Sequence, residues 1–504
     1  MPSIEMVPSV ARPAPAVKAA PAVPAKEMLT SRDNMFLTVE DDKHSMNVSG
    51  LYYFPESMDV DEMRSHIAAF AMSFPRCRQK MVRGSELLAR PYWAADPDYS
   101  IDNHFSRVQL PAPADDEVLM DIAGPLHAKR LDVSKPLWHC YWFDGLSGGR
   151  KAILFVAHHA IADGQGFVRN LLSFVAAQDP TIEDVRSLQY AAGRHSAAPS
   201  PAPSENGDAT STAVTVYTRA ADAVAVAQQQ ATGLLVFFLA VLTYGYHMLL
   251  LVLIPRKSFT ATTETATKQT AWTTADVPLD AVKAIKNRYK VTVNDVLTAC
   301  VGAALGSHLP EDLQDPRFWL LIPTSMRRPD DVSASNRSSG YLLPIANGPK
   351  LDIGQRIRDV NSNMRTAKAS PEAVVNYSFA GLLYKLPNAF PSIFLSSAKL
   401  LHGVLTNVPG PNAPIRWGKH EISKMVAFIP QASPNSVSSA VYTYNGKVTL
   451  SVHMALIPGH EVFGEGAAKA IVAAFEKALE AATLHSEALL IEQNLSVNET
   501  KKLK

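Results

Sequence analysis

Near the middle of this 504-residue chain, a Ser/Pro/Ala-rich run, RHSAAPSPAPSENGDATST (Arg194–Thr212), precedes an uncharged apolar stretch, GLLVFFLAVLTYGYHMLLLVLIP (Gly233–Pro255). The run is a linker by composition. As a helix, Gly233–Ile254 would extend roughly 33 Å, against a hydrocarbon core of about 30 Å. A chain of this length exceeds one ordinary core, and residues 191–257 divide it into comparable halves, 28–190 and 258–485. Any site built from both halves is therefore incompatible with a single membrane crossing between them.

The flanks read differently. Residues 1–27 are a Pro/Ala tract without a signal-peptide core, expected to be a disordered tail. Residues 486–504 form a C-terminal tail ending in KKLK. The 48 basic residues nearly balance the 47 acidic ones, and no basic stripe carries interleaved aromatics, which argues against nucleic acid as a partner. Cys77, Cys140 and Cys300 are far apart and none belongs to a CxxC pair, so neither a disulfide framework nor a metal site is expected.

Within each half, β-branched runs alternate with amphipathic helical patterns, which places the chain in the α/β (α+β) class. KAILFVA (Lys151–Ala157) reads as a buried strand and GFVRNLLSFVAA, which follows, as a helix. FWLLIPTSM (Phe318–Met326) and VTLSVHMAL (Val448–Leu456) read as strands of the second half.

Between the first strand and its helix lies HHAIADGQG (His158–Gly166). Adjacent residues at a strand end point to opposite faces, so only one of His158 and His159 naturally enters a given cleft. Asp163 follows four residues after His159, and Gly164 and Gly166 allow a tight turn. The motif is open to three readings: metal ligands, structural histidines, or a general base on a turn whose loop the Asp holds. No helical His pair or Cys/His cluster completes a ligand set. An imidazole titrating near 6.5 suits proton removal from a hydroxyl or amine.

HHAIADG resembles the HHxxxDG signature of chloramphenicol-acetyltransferase-like acyltransferases and peptide-synthetase condensation domains. Further segments resemble the wax ester synthase/diacylglycerol acyltransferases: MLTSRDNMFLTVED (Met28–Asp41), DYSIDNHF (Asp98–Phe105), LDVSKPLW (Leu131–Trp138), VTVNDVLTA (Val291–Ala299), LIPTSMRRPDDVSASNRSS and LTNVPGP (Leu405–Pro411). They occur in the family's order across about residues 28–485. The resemblance implies two acyltransferase-like domains with an active-site tunnel at their interface and His159 at its centre. It implies acyl-CoA as co-substrate, no cofactor, and a long-chain alcohol or diacylglycerol as acceptor. A related transferase acting on a soluble alcohol or amine is the alternative; a non-enzymatic lipid-surface protein fits the intact motif poorly.

On this reading His159 is the base, Asp163 holds the loop by a salt bridge, and His158 is structural. Pro136, Leu137 and Trp138 pack a turn and a tunnel wall. Asn294 and Asp295 open an apolar helix, so capping explains them as well as substrate contact does. Arg327 and Arg328 read as a solvated pair in preference to phosphate ligands.

The two-half architecture bears on the apolar segment. Thr243, Tyr244, Tyr246 and His247 sit at its middle, where a spanning helix meets its greatest polar cost. A helix in the membrane interface or a shallow re-entrant element is favoured, with burial in the protein as the third option. Lys501 and Lys502 fit a dilysine retrieval signal. The combined expectation is an endoplasmic-reticulum membrane enzyme with both halves facing the cytosol, or one on a lipid droplet. Glycosylation at Asn47, in NVS, would instead place the first half in the lumen.

Overall fold

A computed structural model describes residues 4–5, 21–42, 44–55, 58–83, 91–178, 238, 242, 268–310, 318–327, 335–345, 351–383, 402–431 and 436–502. The linker lies outside these residues, as does the apolar segment apart from Phe238 and Leu242. Those two are 61% and 54% exposed.

Two sheets form the framework. The first has the spatial order Ile4–Glu5, Phe105–Ala114, Trp138–Leu146, Lys151–His158, Asn47–Phe54, Lys424–Phe428. The second runs Val277–Pro278, Lys447–Leu456, Val437–Tyr444, Gly403–Pro409, Phe318–Ser325, Ser338–Ile345, with Lys268–Thr273 also pairing to Lys447–Leu456. Both sheets are mixed: Phe105–Ala114 runs parallel to Trp138–Leu146, and Gly403–Pro409 parallel to both its neighbours. Lys151–His158 is buried from Ala152 onward and Val437–Tyr444 throughout. Strands covered on both faces are expected to be nearly continuous apolar runs; Lys151–His158 fits this, whereas Val437–Tyr444 also buries Ser438, Ser439 and Thr443.

Local signals place the helices. Thr30 and Asp33 form a capping box that starts Ser31–Val39, and Thr292 and Asp295 form another that starts Val293–His308. Reciprocal caps satisfy backbone N–H groups that a helix start otherwise leaves open.

The division at 28–190 and 258–485 is not a division between sheets. Lys424–Phe428, from the second half, pairs antiparallel with Asn47–Phe54 and closes that edge of the first sheet, with Val426 opposite Leu51. One core cluster joins Leu119, Phe143 and Leu154 to Ala271, Val426 and Phe428. The strand is taken up because Met425, Val426 and Phe428 need cover on both faces, and all three are buried here. The tails also depart from expectation. Ile4–Glu5 pairs with Phe105–Ala114, and the Ala467–Lys502 helix continues through Lys501 and Lys502.

Asn47 is fully buried. Its Nδ2 donates to the His127 and Lys129 carbonyls, 2.8 Å each. The amide that glycosylation would use is committed inside the fold.

Candidate active site

A cavity of about 520 Å³ lies between the two sheets. Phe36, His159 and Phe167 line it from the first half, and Leu321, Asn407 and Phe428 from the second. Its wall is mainly apolar.

The Lys151–His158 strand ends where the pair of histidines begins, and the two rings diverge as the strand geometry requires. His158 is buried away from the cavity. Its Nδ1 accepts from the Ala160 N–H at 3.0 Å, and its Nε2 faces Glu40 Oε1 at 3.5 Å. Burial acts to raise the Glu40 carboxyl, but its contacts with His158, Met46 and Arg130 outweigh that and hold it below the usual range. His158 thus secures the strand end to the segment after the first helix.

His159 turns into the cavity. Its N–H donates to the Met46 carbonyl at 2.7 Å, and its ring stacks on Phe36 with centroids 3.8 Å apart and planes 13° from parallel. Nδ1 lies 3.0 Å from Asn336 Oδ1. Burial pushes the imidazole down to about 4, against the opposing field of Asp163. It is therefore uncharged at neutral pH, the state a proton acceptor needs.

Asp163 does not touch the imidazole by any hydrogen bond among the described residues. It caps the Gly164–Gln178 helix: Oδ1 accepts from the Gly166 N–H at 2.8 Å, and its carbonyl from the Phe167 N–H at 2.9 Å. The same Oδ1 meets Arg327 Nη2 at 2.9 Å, and Oδ2 accepts from the Arg337 N–H at 2.9 Å. One carboxylate therefore ties the loop to two points of the second half. Arg327 is not solvated: its side chain is 2% exposed. Arg328 lies outside the described residues.

Gly164 lines the cavity without a left-handed backbone; an added Cβ would meet only Val408 Cγ2, at 3.5 Å. Its smallness keeps space open and is not needed for the turn. Pro136, Leu137 and Trp138 are not among the lining residues. The Leu137 carbonyl accepts from the His158 N–H at 2.9 Å. Trp138 stacks on Phe155, centroids 5.3 Å apart, and its Nε1 donates to the Cys77 carbonyl at 2.9 Å. Since Phe155 lines the cavity, the Pro-Leu-Trp segment backs the wall from one layer behind.

Asp295 serves the Thr292 cap and accepts from Asn361 Nδ2 at 2.8 Å. Asn294 Oδ1 accepts from Asn407 Nδ2 at 3.3 Å. Asn407 lines the cavity and Asn294 does not, so Asn294 holds a lining residue in place. Among the described residues no His/Cys/Asp/Glu cluster could hold a metal.

Sequence reasoning missed Asp33, Phe36 and Asn336. The first two lie in MLTSRDNMFLTVED and the third in the SASNRSS run. Nothing local marks these residues as neighbours of an imidazole; only the fold brings Asn336 across 177 positions to His159.

Two lobes with a shared cavity and a His-His-x-x-x-Asp-Gly loop at its centre define an acyltransferase of the chloramphenicol-acetyltransferase-like fold. The wax ester synthase/diacylglycerol acyltransferase catalytic domain matches residues 29–297, and the C-terminal domain of the same family matches 334–473. The chain belongs to the wax ester synthase/diacylglycerol acyltransferase family. A probable diacylglycerol O-acyltransferase of Mycobacterium tuberculosis is 26% identical over 430 residues, 82% of this chain and 88% of its own. An O-acyltransferase of Acinetobacter baylyi is 24% identical over 404 residues, 76% and 82% of the two chains. The solved wax ester synthase/diacylglycerol acyltransferase of Marinobacter aquaeolei VT8 superposes with a TM-score of 0.59 at 20% identity, covering 92% of this chain and 100% of that one. A condensation domain of the calcium-dependent antibiotic synthetase gives 0.56 at 13% identity, covering 92% and 96%. Among the described residues no helix is long and apolar enough to cross a membrane. These relatives are bacterial, which lends the endoplasmic-reticulum placement no support.

Proposed function

We propose that the protein transfers a fatty acyl group from acyl-CoA to a long-chain alcohol, forming a wax ester, to diacylglycerol, forming triacylglycerol, or to both. The observation that carries this reading is the placement of His159 in an apolar cavity shared by both halves. The names borne by the mycobacterial, Acinetobacter and Marinobacter relatives agree with it.

The reaction follows from one nitrogen. The alcohol oxygen attacks the thioester carbonyl carbon while His159 Nε2 takes the hydroxyl proton. The tetrahedral oxyanion collapses, the C–S bond breaks, and the proton passes from the imidazolium to the departing CoA thiolate. Burial disfavours the charged form of His159, so the imidazolium passes its proton on readily to the departing thiolate. Base catalysis contributes about 10²–10⁴ in rate; the rest requires both substrates held in register. An apolar wall suits acyl and alkyl chains. A membrane or lipid-droplet surface is the natural source of such acceptors, and the exposed Phe238 and Leu242 of the apolar segment suit contact with it.

The test uses the purified full chain with palmitoyl-CoA and, in separate reactions, hexadecanol, dioleoylglycerol and a soluble short alcohol. Ester from either lipid acceptor, lost in His159→Ala while palmitoyl-CoA still binds, is the expected result. Full turnover by His159→Ala overturns the role of His159, and exclusive use of the soluble alcohol overturns the acceptor class.

A further inference from the structure

Which imidazole nitrogen carries the proton decides whether His159 can act as a base. A ring protonated on Nε2 presents a donor to the substrate hydroxyl; one protonated on Nδ1 presents the lone pair that the reaction needs. No described side chain of the first half is placed to make this choice. Of the side chains around the ring, Phe36 only stacks, and Asp163 points away into its bonds with Gly166, Arg327 and Arg337.

The group that meets Nδ1 is Asn336, from the second half, and its amide has one orientation that satisfies every partner. Its nitrogen lies 2.8 Å from Asp33 Oδ1 and 2.8 Å from the His159 carbonyl, both acceptors. Reversing the amide would set its oxygen against a carboxylate and a carbonyl, leaving both unsatisfied in a site where Asn336 is 2% exposed. With the nitrogen so assigned, Oδ1 is the atom 3.0 Å from His159 Nδ1. It can only accept, so Nδ1 must donate. The ring also meets the His159 backbone carbonyl, and Asn336 Nδ2 holds that carbonyl at 2.8 Å. Asp33, anchored by Thr30 at the start of the first helix, fixes the amide from behind. That same helix supplies Phe36, so one short helix sets both the plane of the ring and the group that selects its proton.

We infer that Asn336 is a positioning residue for the transfer reaction, holding His159 as the Nδ1–H tautomer so that Nε2 presents its lone pair to the acceptor hydroxyl. Because Asn336 and His159 belong to opposite halves, the second half completes the hydrogen bonding that fixes the ring of the base. This rests on His159 as the base, and the experiment separates the two claims by reading the tautomer directly.

The full chain is labelled with ring-¹⁵N histidine, and the His159 signals are assigned by their loss in His159→Gln. A protonated Nδ1 and an unprotonated Nε2 at neutral pH are expected in the wild type, whether or not turnover is detected with any acceptor. In Asn336→Ala the two nitrogens should share the proton, kcat should fall about 10- to 100-fold, and KM for palmitoyl-CoA should stay within about threefold. Asn336→Asp keeps an acceptor at Nδ1 but sets its second oxygen against Asp33 Oδ1 and the His159 carbonyl, where the two carboxyls must share a proton; the Nδ1–H tautomer should persist while kcat falls at least about 10-fold. A wild-type ring protonated on Nε2 overturns the inference. So does a folded Asn336→Ala with an unmoved tautomer or kcat within about threefold of wild type. If Asn336→Ala does not fold, the wild-type spectrum and the tautomer of Asn336→Asp decide.

Discussion

At the scale of single residues, the chemistry was legible where it is local and hidden where it is not. Two adjacent histidines on a strand end must diverge, and His159 is the one that enters the cavity while His158 turns to Glu40. Arg327 looked like half of a solvated pair because nothing in SMRRPDD announces a carboxylate, 164 positions distant, that will bury it. The buried histidines carry a further consequence. Burial pushes His127 down to about 4, and His139 down to about 3 with help from nearby cationic groups; His159 is held at about 4. Their folded values lie below the unfolded value near 6.5, so the unfolded chain binds more protons between about pH 4 and 6.5, and stability must fall as pH drops through that window. His127, 1% exposed, accounts for a loss on the order of 3 kcal/mol by itself. Urea unfolding at pH 7.5, 6 and 5 should show the midpoint stepping down; a midpoint unchanged to pH 5 would refute it.

Elements were the most readable level. The continuous apolar run of Lys151–His158 and the alternating one of Lys447–Leu456 both became interior strands, because period and flanking turns are properties of a short window. Roles within elements were less so. Asn294 and Asp295 could have been ligands or caps, and the structure shows Asp295 in a reciprocal cap with Thr292 and Asn294 bonded to Asn407. Removing the Thr292 hydroxyl tests the capping role: Thr292→Ala should cost about 1 kcal/mol of stability and leave kcat at moderate temperature within twofold. A large fall in kcat with no loss of stability would move this helix start into the substrate site. The partner of a strand is a different matter from its existence. MVAF reads as apolar, but nothing local says that Lys424–Phe428 will leave its own half to pair with Asn47–Phe54.

At the scale of the whole molecule, that strand and the Asp163 and Asn336 bonds make the halves interdependent. Residues 28–190 produced alone would expose the apolar edge of Asn47–Phe54 and lose the second-half side of the core shared by Leu119 and Phe428. Unpaired edges of this kind recruit other chains. Expressed separately, the first half should aggregate; co-expressed with residues 258–485, it should become soluble and recover measurable transfer. A monomeric, cooperatively melting first half on its own would contradict this dependence.

The borrowed strand also sets an order of events during synthesis. Asn47–Phe54 leaves the ribosome roughly 370 residues before Phe428 completes its sheet, an interval of about 20–75 s at ordinary elongation rates. The apolar stretch Gly233–Pro255 emerges inside that interval. The shared active site can therefore close only after that whole stretch has been made.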